Sequence, residues 1–336
     1  MLEEHRSGTG GKPLLQIRDL RVTYSAAQAK PIRAVDEVSL EISSGEVIGI
    51  LGESGCGKST LASAVIQSLP PSAKIESGEI FFRDRDLLRL RERELSSMRG
   101  REISLIPQDP ALSLNPVMPV GTQISEVLRA HLPLKAGKRR ERVQQLLAEM
   151  GFERPEEIYN AFPHQLSGGQ RQRIVIAQAV SCNPSLVIAD EATSKLDASL
   201  QTEIMELLSA SRNRQQTTLL IISHDPMLVG RFADRIAVMY GGRIVEIGKS
   251  AEMMQRPLHP YTQALMRIAK ASAIGEAPGK RRLPAIDGEV FDPAEFRNGC
   301  RFEPRCQERM EVCRHHDPSN TAPEAERLVS CFQYDK

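Results

Sequence analysis

Glu46-Val-Ile-Gly-Ile-Leu51 runs directly into Gly52-Glu-Ser-Gly-Cys-Gly-Lys58-Ser59, the most informative segment in the chain. The first six residues are nearly all apolar and do not alternate, as in a strand covered on both faces. The next eight fit G-x-x-x-x-G-K-[ST], and the pattern over residues 58–69 is helical. Strand, glycine-rich loop and helix, in that order, form the context in which this motif cradles phosphate. Its glycines let successive backbone N–H groups turn toward a phosphate chain, and the helix contributes the positive end of its dipole. Lys58 then reaches the β- and γ-phosphates, and Ser59 supplies an oxygen to magnesium. A plain glycine-rich turn with a surface lysine would not need the strand and helix on either side.

Farther along, Leu186-Val-Ile-Ala-Asp190-Glu191 is a second apolar strand, and it ends in two carboxylates at the carboxyl edge of the sheet. Asp190 suits the magnesium shell there. Glu191, one residue on, suits orienting or deprotonating a water that attacks the γ-phosphate. The blander reading of this pair is a solvated cap on the next helix. Residues 14–24 and 34–42 alternate at period two, which predicts half-buried antiparallel strands. Between residues 110 and 163 helix-forming stretches, 138–150 above all, are interrupted at Pro116, Pro119, Pro133 and Pro155. Strands at 185–189 and 218–222, a helix after Asp197 and a two-stranded pattern over 236–247 around Gly241 and Gly242 complete an α/β order. From about residue 270 the composition shifts to Pro, Gly, charge and Cys.

Bulk properties narrow the possibilities. The 336 residues carry 44 Lys and Arg against 43 Asp and Glu, so no polycationic field draws the chain to nucleic acid or anionic lipid. The apolar runs are strand-sized, far below the roughly 20 residues of a membrane-crossing helix. Residues 1–12 lack the apolar segment of a secretory signal and read as a flexible tail. The expectation is a cytosolic chain, where disulfides are disfavoured.

Leu166-Ser-Gly-Gly-Gln170, followed by Arg171-Gln-Arg173, puts a serine and two glycines at a helix N-terminus, a second anion-binding end. These residues resemble the signature motif of ABC ATPases, and the ordered set from residue 14 to about 248 resembles a whole cassette. The resemblance implies two cassettes facing head to tail, with Ser167, Gly168, Gly169 and Gln170 of each closing on the ATP held by the other. It puts Tyr24 at the adenine-stacking position and Gln108 at the loop that senses magnesium and touches the membrane partner. Ser194 to Asp197 fall at the inter-subunit loop, and His224 at the γ-phosphate contact. On this basis ATP is bound by Tyr24, Gly52, Glu53, Ser54, Gly55, Cys56, Gly57, Lys58, Ser59 and Thr60. Magnesium is held through Ser59, Gln108 and Asp190, and Glu191, His224 and Lys58 carry catalysis. Two departures stand out: Ala192 where a proline is usual, and Lys195 where a small residue is. Neither removes a catalytic group, although Lys195 puts a charge where two cassettes should meet.

The implied fold is an α/β, ABC-type P-loop ATPase with an N-terminal antiparallel β layer, a mixed core sheet flanked by helices, a helical subdomain and a Cys-rich C-terminal extension. The boundaries expected are a flexible tail at 1–12, the nucleotide-binding core at 13–109 and 164–250, the helical subdomain at 110–163 and the extension at 251–336.

Within that extension, Arg256-Pro-Leu-His-Pro-Tyr-Thr262 with Leu265, and Gly299-Cys300-Arg-Phe302-Glu-Pro-Arg305-Cys306 with Cys313 and Cys331, resemble the tail of ATPases serving oligopeptide, dipeptide and nickel importers. Cys56 and Cys182 look incidental. The other four follow C-x5-C-x6-C-x17-C, unlike the paired C-x2-C knuckles of most structural zinc sites. The resemblance implies a [4Fe-4S] cluster on Cys300, Cys306, Cys313 and Cys331. Zinc, with His315 and His316 as further ligands, and free thiols or a disulfide stay open as alternatives.

The function implied is ATP hydrolysis that energises import of peptides, or of nickel or another small solute, from the cytoplasmic face of the cell membrane. The partners implied are a second, related but distinct ATPase subunit, two transmembrane permease subunits and an extracellular or periplasmic solute-binding protein. A soluble ABC protein acting on nucleic acid or the ribosome fits poorly with the near-neutral charge and single cassette. A non-hydrolysing regulatory cassette fits poorly with Glu191 and His224 both being in place.

Overall fold

A computed structural model describes residues 12–25, 30–194, 196–273, 285–289, 291–292, 294 and 298–335. Residues 1–11 of the expected tail at 1–12 and the departure at Lys195 lie outside the described residues. The chain forms two compact units: Met1–Ser43, Val47–Leu88 and Ser223–Lys336 make the first, and Ser44–Glu46 with Arg89–Ile222 the second.

The first unit opens with β1 (Leu15–Tyr24), β2 (Ile32–Ile42), β3 (Val47–Leu51), β4 (Ala73–Phe82) and β5 (Arg85–Asp86). A four-stranded antiparallel layer runs in the order β2-β1-β4-β5. Alternation accounts for β1, in which Leu15, Ile17, Leu20 and Val22 are buried while Arg18 and Asp19 are exposed. The period breaks at Asp19, whose φ is +44°, and the pairing of β1 with β2 shifts register there, as at a β-bulge. Gly78 of β4 faces this bulge, and a Cβ on it would lie 2.5 Å from Leu20 Cα. The pattern predicted neither β4 nor β5. Lys, Glu, Ser and Gly fill half of β4, and only Ile80 and Phe82 are buried.

The second unit contains β6 (Ile103–Ile106), which the sequence reading did not indicate, and β7 (Leu186–Asp190) and β8 (Thr218–Ser223), which it did; all three pair in parallel. Its helices include Val120–His131, Ala136–Glu149, Pro155–Asn160, Gly168–Val180 and Ala198–Gln215. Helix Ala136–Glu149 buries Val143, Leu146 and Leu147, a stripe at three- and four-residue spacing.

The chain then returns to the first unit with β9 (Arg235–Tyr240), β10 (Arg243–Lys249), β11 (Thr321–Glu324) and β12 (Arg327–Val329). There β3 pairs in parallel with β9, while β9–β10, β10–β12 and β12–β11 are antiparallel, so the sheet is mixed. Gly241 and Gly242, with φ of +54° and +88°, make the two-residue reversal between β9 and β10 that the sequence indicates. The C-terminal extension therefore adds strands to this sheet, which its composition did not reveal. The join is made by Glu246 of β10 and Arg327 of β12, both fully buried and 2.7 Å apart. The Glu246 carboxylate also accepts the N–H groups of Leu258 and His259, each at 2.9 Å. Helix Lys58–Val65 is shorter than the predicted 58–69, because Gln67 adopts a left-handed φ of +49° ahead of Pro70 and Pro71. Among the described residues no helix is long and apolar enough to cross a membrane.

Candidate functional site

In the first unit, β3 delivers the chain to Gly52 and the loop closes on helix Lys58–Val65. A Cβ at Gly57, where φ is +104°, would sit 2.0 Å from the Ala34 carbonyl oxygen; one at Gly52 would sit 2.3 Å from that of Met239. Only glycine lets the loop lie this close to its neighbours' backbone. No side chain caps the helix at Gly57, which leaves its first N–H groups to the loop. Lys58 is 4% exposed, and its Nζ donates to the carbonyls of Gly52 at 2.8 Å and Glu53 at 2.9 Å. The cation is thus held inside the loop. Burial raises the Cys56 thiol against the pull of Lys58, whose Nζ lies 3.6 Å from Sγ. The Tyr24 hydroxyl hydrogen-bonds to Thr60 Oγ1 at 3.2 Å, and the ring is half-buried. His224 lies exposed immediately after β8, not packed in the core. Asp225 beside it caps the next helix by accepting the N–H groups of Met227 and Leu228.

Glu53 is held twice from the C-terminal extension. Its N–H donates to Tyr261 Oη at 3.0 Å, and its carboxylate takes both Arg305 Nη1 at 2.7 Å and Nη2 at 3.0 Å. In the sequence Tyr261 and Arg305 stand out only as parts of tail motifs. Nothing local links either of them to the phosphate loop.

In the second unit, Asp190 is the last residue of β7, and Glu191 turns off the strand with a φ of +46°. A left-handed glutamate is uncommon, and here the Glu191 N–H is fixed to the Ile222 carbonyl at 2.9 Å. Gln108 Nε2 donates to Glu191 Oε2 at 2.8 Å. In the signature segment, Ser167 Oγ accepts the Gln170 N–H at 3.2 Å and Gln170 Oε1 accepts the Ser167 N–H at 2.9 Å, a reciprocal capping box. The two glycines differ. A Cβ on Gly169 would meet Leu200 Cδ2 at 2.3 Å, whereas one on exposed Gly168 would meet nothing within 4 Å. Asp197 caps helix Ala198–Gln215 through the Leu200 N–H at 3.0 Å, and the buried Ser194 Oγ has no hydrogen-bond partner among the described residues. Tyr24, the phosphate loop and His224 thus belong to the first unit, and Gln108, Asp190, Glu191, Ser167–Gln170, Ser194 and Asp197 to the second.

Cys300, Cys306, Cys313 and Cys331 line one small cavity together with His259 and Phe302. Burial pushes the Cys300 thiol up to about 12 and the Cys331 thiol up to about 11, and it raises Cys306 as well; neighbouring cysteines reinforce each shift. Burial alone pushes His259 down to about 3, and its Nδ1 accepts the Tyr261 N–H at 3.1 Å, so the ring is neutral. Among the described residues no group of three or more His, Cys, Asp or Glu is arranged around a single metal ion.

Residues 35–194 match the family model described as ABC transporter, and residues 245–313 match the oligopeptide/dipeptide transporter C-terminal region. The chain is 41% identical over 325 residues to the oligopeptide transport ATP-binding protein AppD of Bacillus subtilis, covering 96% of this chain and 97% of that one. The chain belongs to the ABC transporter family. This ABC ATPase is also 39% identical over 307 residues to the dipeptide transport ATP-binding protein DppD of Escherichia coli, covering 91% and 92% of the two chains. Among solved structures, it is similar to the ATP-binding cassette MJ0796 in a dimeric, post-hydrolysis state bound to ADP and Pi. That match has a TM-score of 0.64 and 28% identity, and it covers 70% of this chain and 98% of the other. The expected ABC ATPase fold and ATP-hydrolysing class therefore stand, and ATP with magnesium suits the family.

Proposed function

We propose that this ABC ATPase energises the import of dipeptides or oligopeptides through two transmembrane permease subunits. In this reading it works at the cytoplasmic face of the membrane with a second, distinct ATPase subunit, and an extracellular or periplasmic solute-binding protein supplies the cargo. The observation that carries the reading is the C-terminal region, which matches oligopeptide/dipeptide transporters over residues 245–313. Functionally the chain divides into the nucleotide core at 13–109 and 164–250, the helical subdomain at 110–163 and the extension at 251–336. The permease docks near Gln108 and the helical subdomain, a role supported by Leu112 and Val117, which are 87% and 80% exposed.

In the reaction, Tyr24 stacks on adenine while residues 52–60 wrap the triphosphate. Lys58 gives up the carbonyls of Gly52 and Glu53 for the β- and γ-phosphates, and Ser59, Gln108 and Asp190 hold magnesium. Glu191 takes a proton from water as its oxygen attacks the γ-phosphorus, the bond to the bridging oxygen breaks and ADP leaves. His224 contacts the γ-phosphate. Ser167–Gln170 serve the ATP of the facing cassette, and Ser194 and Asp197 border it. The open space over Gly168 supports this assignment, because packing within the chain gives no reason for a glycine there.

The four-cysteine cavity fits a [4Fe-4S] cluster better than one zinc ion. Each cluster thiolate takes a different iron, so the thiols surround a cavity without meeting at a point. That all four cysteines line one cavity supports this reading. Such a cluster supplies four covalent ties that hold the extension together.

The test is to isolate the transporter in mild detergent without oxygen, reconstitute it in vesicles with its solute-binding protein and measure ATP hydrolysis with and without peptides. Peptide-stimulated turnover abolished by Glu191→Gln, in a brown sample absorbing broadly near the blue, is expected. Stimulation by nickel or a sugar alone would refute the peptide reading, and a colourless sample with stoichiometric zinc would refute the cluster.

A further inference from the structure

Arg305 lies between Cys300 and Cys306 in sequence, yet its guanidinium is spent on the phosphate loop. Its side chain is 3% exposed, and all five of its N–H donors are matched. Nε donates to Asp287 O at 3.2 Å; Nη1 donates to Glu53 Oε2 and Tyr240 Oη; Nη2 donates to Glu53 Oε1 and Ile286 O. A bidentate pair of this kind is the strongest geometry open to an arginine and a carboxylate. A second contact comes from Tyr261, fully buried, whose hydroxyl accepts the Glu53 N–H. Both residues are tied to the four-cysteine cavity. Phe302, which lines it, packs its ring on Tyr240 at 5.3 Å and on Tyr261 at 5.4 Å, and His259 of the same wall precedes Tyr261 by two residues.

Glu53 is an anion inside a loop whose chemistry is to hold anions. Left unpaired, its carboxylate would repel the phosphates; paired with Arg305, it is neutralised and fixed in place. Its backbone matters equally, since the carbonyls of Gly52 and Glu53 are the two that hold Lys58 Nζ. Tyr261 and Arg305 therefore set the peptide that aims the loop lysine.

We propose that Arg305 and Tyr261 are positioning residues of the nucleotide site, so that the four-cysteine segment sets ATP affinity through Glu53. This rests on residues 52–60 being the ATP site.

The experiment titrates the full-length chain, in magnesium, with a fluorescent N-methylanthraniloyl ATP. Wild type should bind, and Arg305→Gln should raise Kd about tenfold, the equivalent of about 1.4 kcal/mol. The double variant Glu53→Gln, Arg305→Gln removes both charges and should return Kd to within about threefold of wild type, a rescue that a merely structural arginine would not give. Tyr261→Phe, which keeps the ring and deletes one hydroxyl, should raise Kd about threefold, in line with one lost hydrogen bond. An Arg305→Gln chain that binds like wild type, or a double variant as weak as the single one, would overturn the proposal. If Arg305→Gln fails to fold, Tyr261→Phe decides, and an unchanged Kd there overturns it. No binding by wild type would remove the nucleotide reading and the proposal with it.

Discussion

Gln108 Nε2 donates a 2.8 Å hydrogen bond to Oε2 of Glu191, so the carboxylate proposed as base is oriented by the glutamine proposed as magnesium sensor. The amide donor fixes the direction in which that carboxylate points. Glu191→Gln keeps the size and loses the base. ATP hydrolysis by the assembled transporter should fall at least about 100-fold, the usual lower range for a lost general base, with ATP binding retained. Turnover and nucleotide affinity measured on one preparation separate the two effects.

The two signature glycines should respond differently to alanine. Gly169→Ala must displace Leu200, whose Cδ2 would stand 2.3 Å from the new Cβ, and should cost about 1–3 kcal/mol of stability. Gly168→Ala meets nothing within 4 Å and should leave stability within about 0.5 kcal/mol while lowering ATP turnover of the assembly. Urea unfolding of the chain alongside ATPase assays of the complex would show this split. Equal loss of stability in both variants would contradict it.

Asp36 is the anchor of the first unit's charge network. It is fully buried and collects Arg21 at 3.2 Å, Arg243 at 2.9 Å, Arg33 at 3.8 Å and Arg301. Burial opposes its charge, but Arg301, Arg243 and Arg33 outweigh burial and hold the carboxyl below its usual range. A carboxylate lowered in this way stabilises the fold fully above the ordinary carboxylate pKa and loses that contribution as pH falls through its folded value. Asp36→Asn should therefore cost about 3–5 kcal/mol at neutral pH, the penalty for stranding buried charge. The gap to wild type should narrow below about pH 4, near the unperturbed aspartate value. Denaturant titrations at pH 7 and pH 3 read both numbers.

The extension is held to β10 by Glu246 and Arg327, whose side chains are both fully buried. Arg327→Met leaves the Glu246 carboxylate buried with only backbone partners and should destabilise the protein by about 3–5 kcal/mol. Replacing both with apolar residues of similar volume should recover most of that loss. Thermal unfolding of the single and double variants provides the check.

The phosphate loop, the strand ending in Asp190 and Glu191, the signature helix cap and the glycine reversal at Gly241 are all legible in the sequence. Each is a property of fewer than ten consecutive residues, governed by glycine geometry, side-chain period and capping chemistry, and such preferences act locally. What stayed hidden involves partners far apart in the chain. Glu53 and Arg305 are 252 positions apart, and Glu246 and Arg327 are 81 apart. Asp36 draws its arginines from β1, β2, β10 and the cysteine-rich segment. Strands β11 and β12 are too short and too polar to announce themselves, and they form only because β10 offers them an edge. Which buried charge meets which depends on how the strands stack, since an ion pair is worth making in the interior only where packing has already excluded water. The residues proposed to carry the chemistry stand out in the order of amino acids; the residues that hold the phosphate loop in shape emerged only from the folded chain.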